Sequence, residues 1–249
     1  FLIHYFQKCL NHFSKIEVKD NHYLRFPFYS TNNNSLKELI DFGFKKFVLP
    51  KISTINEINN IKFFFQEFSE NLKVDFFFIL LIENPLCLVT LNELLNSNIL
   101  RLTGIGLGSH DYTNVMGMKH SLEYLFYARN HVLNMGKAHD LITVDIASMN
   151  INDDQNFKDE CLDAFNMGYD GKFILHPNQL NLLNEVEYYS STEIDEAKKV
   201  YLDICKIADD SEAIIYIDGK VYEKAHIKRI KKIINCASER SNLRINNDL

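Results

Sequence analysis

FFFILLIENPLCLVTLNELLNSNILRLTGIGLGSHDY, residues 76–112, decides the fold of this chain. FFFILLI and LTGIGLG are apolar runs of strand length, each too short for a buried helix. Pro85 stops the first run, and residues 86–96 between them have the length of a helix. Strand, helix and strand in that order make a βαβ unit, whose two strands run parallel. Each run ends on a carboxylate, Glu83 after the first and Asp111 after the second, so the two acids leave the sheet at the same end. A hard divalent cation asks for such an arrangement: a few carboxylate oxygens, with positions left for water and substrate. Gly104, Gly106 and Gly108 alternate along the second strand and therefore share a face. Glycine in a strand marks close approach by a ligand or by another part of the protein.

The same alternation extends outward in both directions. Upstream, residues 1–14 read as a helix, HYLRFPFY (22–29) as a strand, SLKELIDFGF (35–44) as a short helix and KKFVLPK (45–51) as a second strand. Thr54 and Glu57 form a capping-box pair ahead of Ile55, Ile58, Ile61, Phe65 and Phe68 at helical spacing. Downstream, residues 121–139 read as a long helix and LITVDIAS (141–148) as a strand. The helix bearing Phe157, Cys161 and Ala164 ends at Gly168, GKFILHP (171–177) is the sixth strand, and two helices close the chain at 194–208 and 223–237. Strands alternating with helices imply an α/β fold with a parallel sheet.

Composition narrows the function classes. Of 249 residues, 46% are hydrophobic and 24% charged, which suits one large folded domain. A formal net charge of −6 argues against a nucleic-acid or anionic-membrane surface. The five cysteines form no C-x-x-C pair, so no zinc motif is present and a cytoplasmic location is expected. No apolar run approaches the ~18 residues of a membrane span. The chain opens on FLIHYFQKCLNHF rather than on Met.

Several stretches together resemble the citrate lyase beta subunit and its relatives, the HpcH/HpaI aldolase family. GYDGKFILHPNQLNLLNEV (168–186) is similar to the family signature, and VDIASMNINDDQNF (144–157) aligns without gaps to its Asp-rich stretch. FVLPK (47–51), LIEN (81–84) and GLGSHDY (106–112) fall in the same order as the family's Leu-Pro-Lys strand, Ile-Glu-Thr strand end and Gly-Ala-Glu-Asp-Leu segment. The resemblance implies a TIM (β/α)8-type barrel over 1–249 as a single domain. Barrel units three to eight would occupy 1–190 and a C-terminal helical closing segment 191–249. The first two βα units have no counterpart, so the sequence is expected to be N-terminally truncated. The chain departs from the family at Pro27, Ser53, His110, Asn150 and Tyr189, which marks it as a divergent member.

The resemblance implies a Mg²⁺- or Mn²⁺-dependent carbon–carbon lyase working through an enolate, with Glu83 and Asp111 as metal ligands. Arg25, inside a strand, would hold a substrate carboxylate; Lys51, His110 and His176 are further catalytic candidates. Gly106, Gly108 and Asp145 are candidates for substrate binding. Each has a plainer reading: Glu83 as a helix cap, Asp111 as a loop acid, Arg25 as an internal ion pair, the glycines as packing room. The expected partners are a small carboxylate substrate, or a thioester, and other copies of the chain. A phosphoenolpyruvate- or pyruvate-using enzyme, a thioesterase, and a non-catalytic binding subunit are the alternatives.

Overall fold

The computed structural model describes residues 23–26, 28, 33–207, 214–217 and 219–247; the expected helix at 1–14 lies outside them. The chain forms two compact units, residues 1–179 and 180–249.

The first unit is built on six strands: β1 (Leu24–Arg25), β2 (Lys46–Leu49), β3 (Phe77–Ile82), β4 (Leu102–Leu107), β5 (Ile142–Asp145) and β6 (Gly171–Lys172). They pair in sequential order, β1-β2-β3-β4-β5-β6, and every pairing is parallel. This is the strand arrangement of a TIM-barrel-type α/β fold, as expected. Between the strands run helices α1 (Asn33–Asp41), α2 (Ile55–Leu72), α3 (Pro85–Val89), α4 (Leu91–Asn96), α5 (Ser109–Met116), α6 (Leu122–Ala138) and α7 (Asp154–Met167). α8 (Pro177–Glu185) follows β6.

Alternation along each strand creates two faces. Phe78, Leu80 and Ile82 of β3 join Phe47 and Leu49 of β2 and Ile105 and Leu107 of β4 in one core with Ile58, Ile61 and Phe65 of α2. The Phe65 ring meets Phe78 edge-on at a centroid distance of 5.0 Å and Phe47 at a tilt at 5.2 Å. Ile79 and Leu81 lie outside that core. On the other face Ile79 stands against Gly104 of β4, and Leu81 and Glu83 stand against Gly108, the residue after β4. Local signals start the helices. Thr54 and Glu57 form the complete capping box of α2, and the Asn84 side chain accepts the Cys87 N–H at the start of α3. The single helix expected at 86–96 is two, divided at Thr90.

In the second unit, α9 (Ser191–Ile207) and α10 (Lys224–Asn247) accompany an antiparallel hairpin of β7 (Ile214–Ile217) and β8 (Lys220–Glu223). Gly219, at φ +76°, turns the hairpin. Ala197, Ile204, Ile217 and Ile230 form this unit's own small core. The hairpin lies between the two closing helices that the sequence suggested.

Candidate active site

Glu83 follows β3 directly and is 5% exposed. Two donors hold it. Its Oε1 accepts from Arg25 Nη2 at 3.1 Å, and its Oε2 accepts from the Lys51 backbone N–H at 2.7 Å. The methylene stem lies across Gly108: a Cβ on that glycine would stand 2.5 Å from Glu83 Cγ. The carboxylate is therefore buried, ionically paired and seated in a notch that only glycine provides.

The exits of β2 and β3 are knitted together around it. Lys51 takes a left-handed backbone, φ +57°, just after Pro50. A non-glycine residue there stores strain, which concentrates at functional sites. Next to it, Asn84 Nδ2 donates to Ser53 Oγ at 2.6 Å, and Thr90 Oγ1 donates to the Ser53 carbonyl at 3.1 Å. The Lys51 side chain itself is exposed. Tyr23 and Arg25 share a face of β1, as alternation requires: the Tyr23 hydroxyl meets Thr103 Oγ1 at 2.8 Å and Arg25 meets Glu83.

Asp111 sits in the first turn of α5, three residues past Gly108. Asp111 is half-buried and has no hydrogen bond or ion pair among the described residues. His110 beside it is exposed. Ser109 is buried, and its Oγ lies 2.8 Å from His120 Nε2. Burial pushes the His120 imidazole below its ordinary pKa, against the pull of Glu160. Neither Ser109 nor His120 stood out in the sequence, since only the fold brings them together.

Asp145 points the other way, into the helix layer. It is 0% exposed, and Arg129 of α6 grips both its oxygens at 2.9 Å. Arg129 also meets Asp163 of α7 at 2.8 Å. Burial alone would lower the Arg129 pKa, but these two carboxylates hold it above its ordinary value. Lys172, almost fully buried on β6, donates to the Ile146 carbonyl at 2.8 Å and pairs with Glu160 at 3.2 Å and Asp145 at 3.6 Å. Asp145 thus belongs to an ion network in the wall. A lone Arg in the apolar helix YLFYARNHVL was the overlooked signal for it.

Among the described residues the remaining candidates make no hydrogen bond or ion pair with Glu83. His176 is exposed, and its Nδ1 accepts the Asn178 N–H at 3.2 Å, at the start of α8. Gly106 is matched to Phe173 instead: a Cβ there would stand 2.6 Å from the Phe173 ring. Gln179, buried, joins the two neighbouring strand exits by accepting from Leu175 N–H at 2.7 Å and donating to the Ser148 carbonyl at 3.2 Å.

Among the described residues no group of three or more His, Cys, Asp or Glu side chains is placed to hold a metal. The pair Glu83 and Asp111 still fits a magnesium-like ion, which takes one or two carboxylates and keeps several waters. Each Glu83 oxygen makes one hydrogen bond and retains a lone pair for a cation. Asp111 is uncommitted and half-buried in the first turn of α5.

Residues 15–177 match the HpcH/HpaI aldolase/citrate lyase family, and the chain belongs to it. The enzyme class that the sequence implied, a lyase, stands with that membership. The chain is similar to the citrate lyase subunit beta of Leuconostoc mesenteroides subsp. cremoris, at 26% identity over 218 residues, 85% of this chain and 70% of that protein. It is similar to a (3S)-malyl-CoA thioesterase of Cereibacter sphaeroides, at 30% identity over 129 residues, 51% of this chain and 45% of that protein. Its fold matches the crystal structure of protein CitE from Mycobacterium tuberculosis in complex with magnesium, acetoacetate and coenzyme A. The TM-score is 0.70 at 15% identity, covering 93% of this chain and 84% of that one.

Proposed function

We propose that this protein is a Mg²⁺-dependent carbon–carbon bond lyase that acts on a carboxylate-bearing substrate, a 2-oxo acid, hydroxy acid or acyl thioester, through an enolate. One observation carries the reading: a buried carboxylate, Glu83, is held by Arg25 and the Lys51 N–H on a glycine notch, and the uncommitted Asp111 lies in the first turn of the helix that Gly108 opens. Glu83 and Asp111 would hold the ion, with Mn²⁺ as the substitute. When bound, the cation supplies Lewis-acid stabilisation of the oxyanion that develops as the carbon–carbon bond breaks. The complexes of the M. tuberculosis relative with magnesium and acetoacetate support this choice of ion and substrate class.

The chain's own residues supply the rest. The Arg25 guanidinium reaches Glu83 through Nη2, and its planar fork can turn the remaining N–H groups to a substrate carboxylate. Gly108, at the start of α5, carries no side-chain cap, so the first N–H groups of that helix are available to an anion. The Lys51 ammonium, on an exposed stem at the mouth, adds positive charge. His110 and His176 are the candidates for moving a proton to or from carbon, and Gly106 and Asp145 shape the wall behind the substrate.

Enolate formation has a direct signature, exchange of the substrate's α-protons with solvent. Pyruvate, oxaloacetate and a short acyl-coenzyme A, incubated in D₂O with Mg²⁺, are to be followed by NMR. Deuterium incorporation that stops with a chelator and is lost in Glu83→Gln supports the reading. Mg²⁺ binding without exchange in any substrate of the panel would refute it.

The thioesterase relative favours a second reading on the same site, in which water attacks a thioester carbonyl. Release of free coenzyme A thiol with no carbon–carbon cleavage product would select it.

A further inference from the structure

We propose that His120, acting through the Ser109 hydroxyl, is a positioning residue: it pins the first turn of α5 and so fixes where the Asp111 carboxylate stands. The inference rests on the reading of Glu83 and Asp111 as a metal pair, and it explains how the second acid is held.

The argument begins at Gly108. A helix start is ordinarily secured by a Ser, Thr, Asp or Asn side chain at the cap. Here the cap residue must be glycine, because any Cβ would stand 2.5 Å from Glu83 Cγ. α5 accordingly starts with no side-chain cap. Making room for Glu83 has removed the usual anchor from the turn that carries Asp111.

Another anchor replaces it. Ser109 is 3% exposed, and its hydroxyl lies 2.8 Å from His120 Nε2. Among the described residues this is the side-chain hydrogen bond that ties the first turn to another segment. The Thr113 hydroxyl turns back to the His110 carbonyl within the helix.

His120 is well placed to act as an anchor. It ends the loop that follows α5, directly before Ser121, whose side chain caps α6. The charges of Glu160 of α7, His110 of α5 and Lys172 of β6 act on the imidazole. Glu160 and Lys172 are members of the buried network that includes Asp145 and Arg129. The His120–Ser109 hydrogen bond therefore ties the turn bearing Asp111 to the segment that opens α6. Mg²⁺ demands near-ideal octahedral geometry at about 2.0–2.1 Å, so a ligand on a loosely held turn binds it poorly.

A merely structural hydrogen bond would affect stability and leave metal affinity alone. The test is Mg²⁺ titration calorimetry with thermal unfolding, on wild type, Ser109→Ala, His120→Leu, the double variant and His120→Gln. Gln at 120 can place its amide nitrogen near the position of Nε2. Ser109→Ala and His120→Leu are each expected to weaken Mg²⁺ binding about fivefold to tenfold, the worth of one lost hydrogen bond. The double variant should be no worse than either single one, and His120→Gln should recover most of the affinity. Unchanged affinity in Ser109→Ala overturns the proposal, and this variant removes only a hydroxyl, so it serves even where His120→Leu does not fold. Losses that multiply in the double variant, or no recovery with Gln, overturn it as well. Absence of Mg²⁺ binding by the wild-type protein is a different failure, that of the metal pair itself.

Discussion

Glu83 and Gly108 make sense only as a pair. A carboxylate 5% exposed has to be compensated, and Arg25 with the Lys51 N–H does so. Gly108→Ala forces the Glu83 stem off its seat while leaving the strand intact. Overpacking of this kind costs about 1–3 kcal/mol of stability, and Mg²⁺ affinity should fall with it; an unchanged titration would mean that Glu83 is not a ligand. Arg25 is to be separated from the metal acids by Arg25→Lys, which keeps the charge and loses the planar fork. Substrate affinity should drop more than Mg²⁺ affinity. Equal losses in the two titrations would make Arg25 a prop for Glu83 alone. The sequence already marked Arg25, Glu83 and Asp111, because strand alternation and strand exits are local properties. Ser109, His120, Arg129 and Lys172 escaped notice because their meaning lies in partners distant in sequence.

At the scale of elements, β5 is held from both sides by ionic contacts. Arg129 and Asp145 are both buried, and removing one partner leaves an uncompensated charge, a loss of about 3–5 kcal/mol. Arg129→Met should lower the urea midpoint accordingly; a change within error would show that the network is not holding α6 to β5. Asp170, just before β6, tests a second contact. Burial would raise its pKa, but Lys137 Nζ and the Thr143 N–H and hydroxyl hold it below the ordinary value of 3.8. Its folded pKa is depressed, so its contribution is fully present above about pH 4 and is lost as pH falls through the folded value. Asp170→Asn should therefore cost stability at pH 6, and the difference from wild type should shrink as pH falls below 3.8. A gap independent of pH would remove the ionised carboxylate from the explanation. The same elements show where periodicity misleads. GKFILHP has the composition of a full strand, yet β6 stops at Lys172 and Phe173 turns to fill the notch above Gly106. α5 gave no start signal because its cap is a glycine chosen for Glu83. The β7–β8 hairpin did carry one, an Asp-Gly pair between alternating apolar residues, but strongly helical neighbours obscured it.

For the whole molecule, six parallel strands in sequential order place the ends of β1, β2 and β3 side by side, and the first turn of α5 follows β4 at the same end. That order was legible from the alternation of short apolar runs with helix-length connectors, and membership of the HpcH/HpaI aldolase/citrate lyase family agrees with it. Which bond the enzyme cleaves was not legible, since substrate choice depends on loops whose side chains follow no period. The central claim is that Glu83 and Asp111 together make a divalent-cation site at that end of the sheet. Mg²⁺ titration calorimetry on the wild-type protein, Glu83→Gln and Asp111→Asn tests it most directly, with circular dichroism to verify folding. One ion per chain in the wild type, and affinity at least tenfold weaker in each folded variant, is the predicted result. Wild-type affinity in either folded variant, or no binding by the wild type, would contradict it.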